Sequence, residues 1–267
     1  MDDCLGMEGP SMTVNPYAAI SLEGRTALVT GGSSGIGAAT CELLASRGAQ
    51  VAVNYRSGRG RAEVLVSRIK SAGGEAIAVH ADVTSPEQSN AMVKAVVDKL
   101  GPIDILVNAA GAFWETQPFA AIDVELWNRS MALNFYGAVH CCTAVLDSMR
   151  SRQRGSIVNL SSIVAKSGGP GETAHYASAK GALETMTYSI AREYAASGVR
   201  ANAVAPGLID TPVHDGNRER FERIAQGYAP LGRPGTAHEV AEVVAFLASD
   251  AASYVTAQVW NVNGGRL

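Results

Sequence analysis

From about position 25 onward the chain alternates between two hydrophobic rhythms. Short runs that are apolar throughout and rich in β-branched residues occupy 26–30, 51–54, 76–80, 103–108, 156–160, 200–205 and 258–262. Between them, apolar residues return at helical spacing. The stretch 36–47 carries Ile36, Leu43 and Leu44, and 88–100 gathers Met92, Val93, Val96, Val97 and Leu100 on one side. The segment from Asp82 to Pro86 reads as a cap ahead of the second helix, with proline tolerated in its first turn. Strands that are apolar on both faces must be covered on both faces. The pattern therefore predicts an α/β fold, a doubly wound, mostly parallel sheet of seven strands with helices on each side. A ligand is expected at the carboxyl ends of the strands.

No linker, repeat or low-complexity tract interrupts the alternation, so residues 21–267 are expected to form a single dinucleotide-binding and catalytic domain. Residues 1–20 lack periodicity, carry Asp2, Asp3, Pro10 and Pro16, and have no apolar core of a secretory signal. They are read as a flexible extension. Of the 267 residues, 47% are hydrophobic and 18% charged, which suits a globular core and excludes a disordered chain. A net charge of -3 gives no reason to expect a nucleic acid partner. No run is long enough to expect a membrane partner or span. The four cysteines, Cys4, Cys41, Cys141 and Cys142, have no metal-binding spacing. They are read as reduced thiols of a cytoplasmic protein with no metal site.

The first predicted strand runs into Thr30-Gly31-Gly32-Ser33-Ser34-Gly35-Ile36-Gly37, and a helix follows at once. Gly31 frees the turn, Gly35 lets the backbone approach a pyrophosphate, and Gly37 allows close helix–strand packing. The helix start then offers unpaired N–H groups and partial positive charge to phosphates. No Lys-Ser/Thr pair follows the glycines, which disfavours a P-loop kinase or NTPase. At the end of the second strand, Asn54 stands where a carboxylate would accept from a ribose 2′-hydroxyl, and Arg56 and Ser57 follow. Arg56 and Ser57 can meet a 2′-phosphate, so NADP(H) is expected, with NAD(H) as the other candidate. A solvated loop arginine is the plain alternative for Arg56.

A further pattern is Tyr176-Ala177-Ser178-Ala179-Lys180, which opens a predicted helix reaching about 196. Positions i and i+4 share a face, and a neighbouring ammonium favours phenolate over phenol. Such a pair alone is common on helix surfaces. Here the strand 156–160 ends upstream in Ser161-Ser162.

Together, the TGxxxGxG spacing from Thr30 to Gly37 and the YxxxK motif resemble the one-domain branch of the short-chain dehydrogenase/reductase family, from about Leu22 to Leu267. The resemblance implies an NAD(P)(H)-dependent oxidoreductase that passes hydride between nicotinamide and a small-molecule carbonyl or alcohol substrate. It implies Ser162 as the donor to the substrate oxygen, with Ser161 as competitor, Tyr176 as acid/base, and Lys180 as tuner of Tyr176 and ribose ligand. It implies Asn134 as the residue whose backbone holds a relay water; a local kink or a satisfied core amide is an equal reading of that asparagine. For the cofactor it implies Gly31, Ser33, Gly35, Ile36 and Gly37 at the phosphates. Asp82 and Val83 would lie at the adenine, and Asn108, Ala109 and Gly111 along the adenosine side, where they would also stabilise the central sheet. Pro206, Gly207, Ile209 and Thr211 would lie at the nicotinamide carboxamide. A homotetramer is expected, built on helices around 126–150 and 176–196 and on the last strand.

The expected substrate wall includes Phe113, Trp114, Val164 and a polar lid over 213–233. Its arginines Arg218, Arg220 and Arg223 read first as a solvated face, and second as ligands for an anionic substrate. A 3-oxoacyl thioester is a specific substrate alternative, with Arg152 and Arg154 as candidate carrier contacts, although Ser197 stands where a basic residue is expected. A dinucleotide sensor without catalysis is the alternative function.

Overall fold

The computed structural model describes residues 20–169, 171–212, 221, 227 and 229–266. Residues 1–19 of the expected extension and most of the expected lid, including Arg218, Arg220 and Arg223, lie outside the described residues.

The strands fall where the apolar runs place them. They are β1 (Thr26–Thr30), β2 (Gln50–Tyr55), β3 (Glu75–His80), β4 (Ile105–Asn108), β5 (Gly155–Leu160) and β6 (Val199–Pro206). A two-stranded pair follows, β7 (Ile209–Asp210) with β8 (Gly235–Thr236), and β9 (Val259–Val262) closes the series. The main sheet has seven strands in the order β3-β2-β1-β4-β5-β6-β9, each pair parallel. The order reverses direction between β1 and β4, where an open α/β sheet leaves a crevice.

Successive residues of each strand face opposite sides, and both sides are dry. Ala27, Val29, Val51, Val53, Ile105 and Val107 face one helical layer. Leu28, Ala52, Leu106 and Ile157 face the other. The first layer holds α1 (Gly35–Ser46), α2 (Arg59–Ser71) and α8 (Ala237–Ala248). The second holds α3 (Pro86–Leu100), α5 (Gly137–Ser151) and α7 (Ala174–Tyr194). Two shorter helices, α4 (Val124–Met131) and α6 (Val164–Ser167), sit ahead of α5 and α7.

The local signals differ in detail from the sequence reading. The cap of α3 is Ser85, whose hydroxyl accepts the Gln88 N–H, with Pro86 in the first turn. Asp82 instead closes the preceding turn by accepting from both the backbone and the hydroxyl of Thr84. The helix expected over 126–150 is broken into α4, a π-helical turn over Ala132–Tyr136, and α5. No helix among the described residues is long and apolar enough to cross a membrane.

Candidate active site

A cleft of about 580 Å³ opens at the carboxyl ends of β1, β2, β4, β5 and β6. The glycine turn forms its floor. Gly31 has φ +62°, and a Cβ there would stand 2.9 Å from the Ala110 Cα, so the β1 and β4 loops touch only because the side chain is missing. A Cβ on Gly37 would overlap the Gly31 carbonyl oxygen, which fixes how closely α1 approaches β1. Thr30 ties the same two loops from below, its hydroxyl accepting the N–H groups of Ala109 and Ala110, each at 3.1 Å.

These residues fit a dinucleotide. Ser34 caps α1 with no side-chain hydrogen bond, and the first turn of α1 has no acidic residue. Its N–H groups are therefore open to an anion. At the end of β2, Arg56, Ser57, Gly58 and Arg61 all line the cleft. A Cβ on Gly58 would lie 2.7 Å from Arg61 Nη2 and 2.8 Å from Ser33 Oγ, so the bare glycine lets a guanidinium and a hydroxyl converge. Arg56 Nη1 stands 3.8 Å from the carboxylate of Asp82. Arg61 was not singled out by sequence reasoning; its place in the first turn of α2, five residues after Arg56, was the signal available.

Across the cleft, Ser162, Tyr176 and Lys180 gather at the end of β5. Tyr176 is on the first turn of α7, and its side chain lines the cleft together with Ser162. Lys180, 4% exposed, lies one turn on, its Nζ 5.7 Å from the Tyr176 ring centre and donating to the Leu160 carbonyl at 2.7 Å. Burial pushes the phenol up to about 12, with the Ser162 hydroxyl working against it. Burial also pushes the Lys180 ammonium down to about 8. Desolvation thus dominates both groups, and the phenol stands raised where the ammonium neighbour was expected to lower it. Ser161 is turned away, its hydroxyl donating to Glu184 Oε1 at 2.6 Å.

Asn134 lies in the π-helical turn, 1% exposed. Its side-chain nitrogen donates to the carbonyls of Ala112 and Ser130, and its oxygen accepts the Ala112 N–H at 3.1 Å. The amide is therefore consumed in holding the loop after β4 and in breaking the regular helix. The local-kink reading describes this side chain. A Cβ on Gly111 would stand 2.9 Å from Asn134 Oδ1 and 3.3 Å from Lys180 Nζ, so that glycine opens the space between them.

Of the remaining sequence candidates, Ser33, Gly35, Ile36, Asp82, Val83, Ala109, Pro206, Gly207, Ile209 and Thr211 line the cleft. Asn108 does not. It is buried beneath the floor, donating to Asn159 Oδ1 at 2.8 Å, while Asn159 donates to Thr187 Oγ1. This polar chain joins β4, β5 and α7 inside the sheet layer, so Asn108 acts on the cleft only through the strands. Of the expected substrate wall, Phe113 lines the cleft, while Trp114 lies under the Arg129 guanidinium. Arg152 and Arg154 lie ahead of β5, at the end of the sheet opposite the cleft, and both pair with Asp104. Among the described residues there is no cluster of His, Cys, Asp and Glu able to hold a metal.

The family model described as enoyl-(acyl carrier protein) reductase matches residues 31–266. The chain is 40% identical over 245 residues to an uncharacterized oxidoreductase, YgfF, of Escherichia coli K12, covering 90% of this chain and 99% of that one. It is 40% identical over 246 residues to a 3-oxoacyl-[acyl-carrier-protein] reductase of Synechocystis, covering 92% and 98%. Among solved structures, a blue fluorescent protein from a metagenomic library, in complex with NADPH, superposes with a TM-score of 0.84 at 36% identity, covering 92% and 98%.

Proposed function

The chain belongs to the short-chain dehydrogenase/reductase family, and from that premise we propose an oxidoreductase that prefers NADP(H) and works on a small-molecule carbonyl or alcohol through Ser162, Tyr176, Lys180 and Asn134. The observation that carries the proposal is the convergence of Ser162, Tyr176 and the buried Lys180 on one cleft at the end of β5, beside the glycine turn.

A bound nicotinamide supplies the hydride chemistry. The chain's own groups handle the substrate oxygen and the proton. The Ser162 and Tyr176 hydroxyls hold the carbonyl oxygen by hydrogen bonds aimed where negative charge develops. Tyr176, kept protonated by burial at neutral pH, gives its proton to that oxygen. Lys180 stabilises the phenolate left behind, and a water held at the Asn134 backbone would pass a proton from solvent through Lys180 to restore the phenol. In the oxidative direction the same groups run in reverse.

For the cofactor, α1 and its glycine turn hold the pyrophosphate. Asp82 and Val83 flank the adenine, and Pro206, Gly207, Ile209 and Thr211 edge the nicotinamide. Arg56, Ser57, Arg61 and Ser33 meet a 2′-phosphate. The preference for NADP(H) is supported by the absence of a carboxylate at the end of β2 and by the NADPH named in the solved neighbour.

A 3-oxoacyl thioester is the second substrate reading, favoured by the name of the Synechocystis relative. Against it stands the Asp104 pairing of Arg152 and Arg154, far from the cleft mouth of the same chain. We further propose a homotetramer, supported by exposed Phe119, Val124, Tyr136 and Tyr188 around α4, α5 and α7, and by exposed Trp260 on the edge strand β9. A cytoplasmic location is proposed from Cys41, Cys141 and Cys142, all buried free thiols.

The test is a steady-state screen of simple ketones, acetoacetyl thioesters, keto sugars and keto steroids with NADPH and NADH. Turnover with NADPH preferred is the expected result. Cofactor binding without turnover on any of them would favour a dinucleotide sensor instead.

A further inference from the structure

The residue before the catalytic tyrosine is a histidine, and nothing in the proposed chemistry uses it. His175 is completely buried. Its Nε2 faces the Glu115 carbonyl at 3.1 Å, and its Nδ1 faces the Ser130 hydroxyl at 3.2 Å. A carbonyl only accepts, so Nε2 carries a proton and donates to it, while the Ser130 hydroxyl, which can donate or accept, partners Nδ1. Both ring nitrogens are thereby satisfied, one by the loop after β4 and the other by α4.

That loop, residues 112–118, contributes Ala112 and Phe113 to the cleft wall, and several contacts hold it. The backbone of Ala112 is bound by Asn134, and the Gln117 N–H donates to the Glu172 carbonyl at 2.9 Å. Glu115 pairs with Arg129 at 3.1 Å, and the Arg129 guanidinium lies 4.9 Å from the Trp114 ring centre. These anchors secure the loop's ends and its outer side. His175 alone among these residues reaches its middle from the catalytic helix. It also sets the ring of Phe113, which stacks on His175 at 6.0 Å and 11° and meets Tyr176 edge-on at 5.6 Å and 75°.

We propose that His175 is a positioning residue: through its Nε2–H it ties the 112–118 loop to the first turn of α7, and so holds Phe113 as a preformed apolar wall beside the Tyr176 ring. This rests on Tyr176 being the group that meets the substrate. It implies a substrate whose carbonyl carries an apolar or aromatic arm, because the half-exposed Phe113 ring is the surface that arm meets. A wall already in place spares the ligand the cost of ordering it.

The test compares His175→Leu with His175→Gln. Glutamine keeps a donor at nearly the reach of Nε2, and leucine keeps only bulk. In His175→Leu, backbone hydrogen exchange over 112–118 should rise about tenfold, while exchange in β1, β4 and the glycine turn stays unchanged. NADPH affinity should stay within about twofold, since the dinucleotide side is untouched. For the best carbonyl compound of the screen above, KM should rise about tenfold with a smaller change in kcat. Gln should recover most of both effects. If the Leu variant does not fold, Ser130→Ala, which takes away the partner of Nδ1, should loosen the same segment to a lesser degree. Unchanged exchange over 112–118 in the folded Leu variant, or in Ser130→Ala where that replaces it, or a Gln variant as loose as Leu, overturns the inference. Exchange is read without substrate, so a protein that reduces no carbonyl would sink the proposed function while leaving this clamp to be judged by itself.

Discussion

The side-chain oxygen of Asn54 accepts the Gly31 N–H at 3.1 Å, so the residue near the end of β2 supports the glycine turn from beneath. Its nitrogen donates to the carbonyls of Ala81 and Val79, at 3.2 and 3.4 Å, and the residue is 2% exposed. Asn54 is thus a structural bracket between β2, β3 and the turn. Asn54→Asp would turn a donor into a charge facing two carbonyls. It should cost about 2–4 kcal/mol of stability and should not create an NADH enzyme. Thermal melts with cofactor titrations check this; a stable variant with a new NADH preference contradicts it.

Cofactor choice belongs instead to the rim. Arg56→Asp should lower kcat/KM for NADPH by about 10- to 100-fold, the worth of one or two charge-assisted hydrogen bonds, and leave NADH nearly unchanged. Arg61→Gln should act in the same direction more weakly. Parallel kinetics with both nucleotides on each variant decide the matter: a wild type that favours NADH, or an unchanged ratio in Arg56→Asp, would sink the assignment.

Tyr176→Phe keeps the ring that Phe113 packs on and removes only the hydroxyl. Turnover should fall about 100- to 10,000-fold, the usual worth of general acid catalysis, while NADPH binding and melting temperature stay near wild type. Near-normal turnover would assign the proton to another group.

Lys180 gives a prediction with a definite pH window. Its ammonium is held at about 8 in the fold, against 10.5 for the free side chain. Between those values the unfolded chain binds more protons, so this group's contribution to stability rises with pH across the window. Below about pH 8 the fold bears the whole cost, on the order of 3 kcal/mol, partly returned by the hydrogen bond to Leu160. Lys180→Met should therefore be inactive yet about 1–2 kcal/mol more stable than wild type at pH 7, with the advantage shrinking toward pH 10. Denaturant titrations at pH 7, 8.5 and 9.5 read this; a gap that widens with pH would reverse the sign of the argument.

The seven strands were legible because a two-sided buried strand must be apolar throughout, and 26–30 and 156–160 carry that requirement openly. Gly31 and Gly37 were legible because backbone contacts leave no room for a Cβ. What escaped were features made by residues distant in sequence. Asn108, the last residue of β4, reads both as a cleft residue and as a stabiliser of the sheet; that only the second describes its side chain depends on Asn159, which draws it under the floor. The break in the 126–150 helix depends on Asn134 meeting Ala112, 22 residues earlier. Arg61 enters the cleft because Gly58 is bare, and His175 gains its role from Glu115, 60 residues away. Arg152 and Arg154 read as open cations until Asp104 is seen between them.

The floor joined through Thr30, Ala109 and Ala110 is rigid before anything binds, being backbone held by backbone and one hydroxyl. A ligand that docks on such a surface spends little of its binding energy on ordering the host, and because it binds the folded chain and not the unfolded one, its affinity returns as resistance to unfolding. Melting temperature should then track the logarithm of free nucleotide concentration above the dissociation constant. A thermal-shift titration becomes a ranking of candidate nucleotides by affinity, and it can be run before any substrate is in hand.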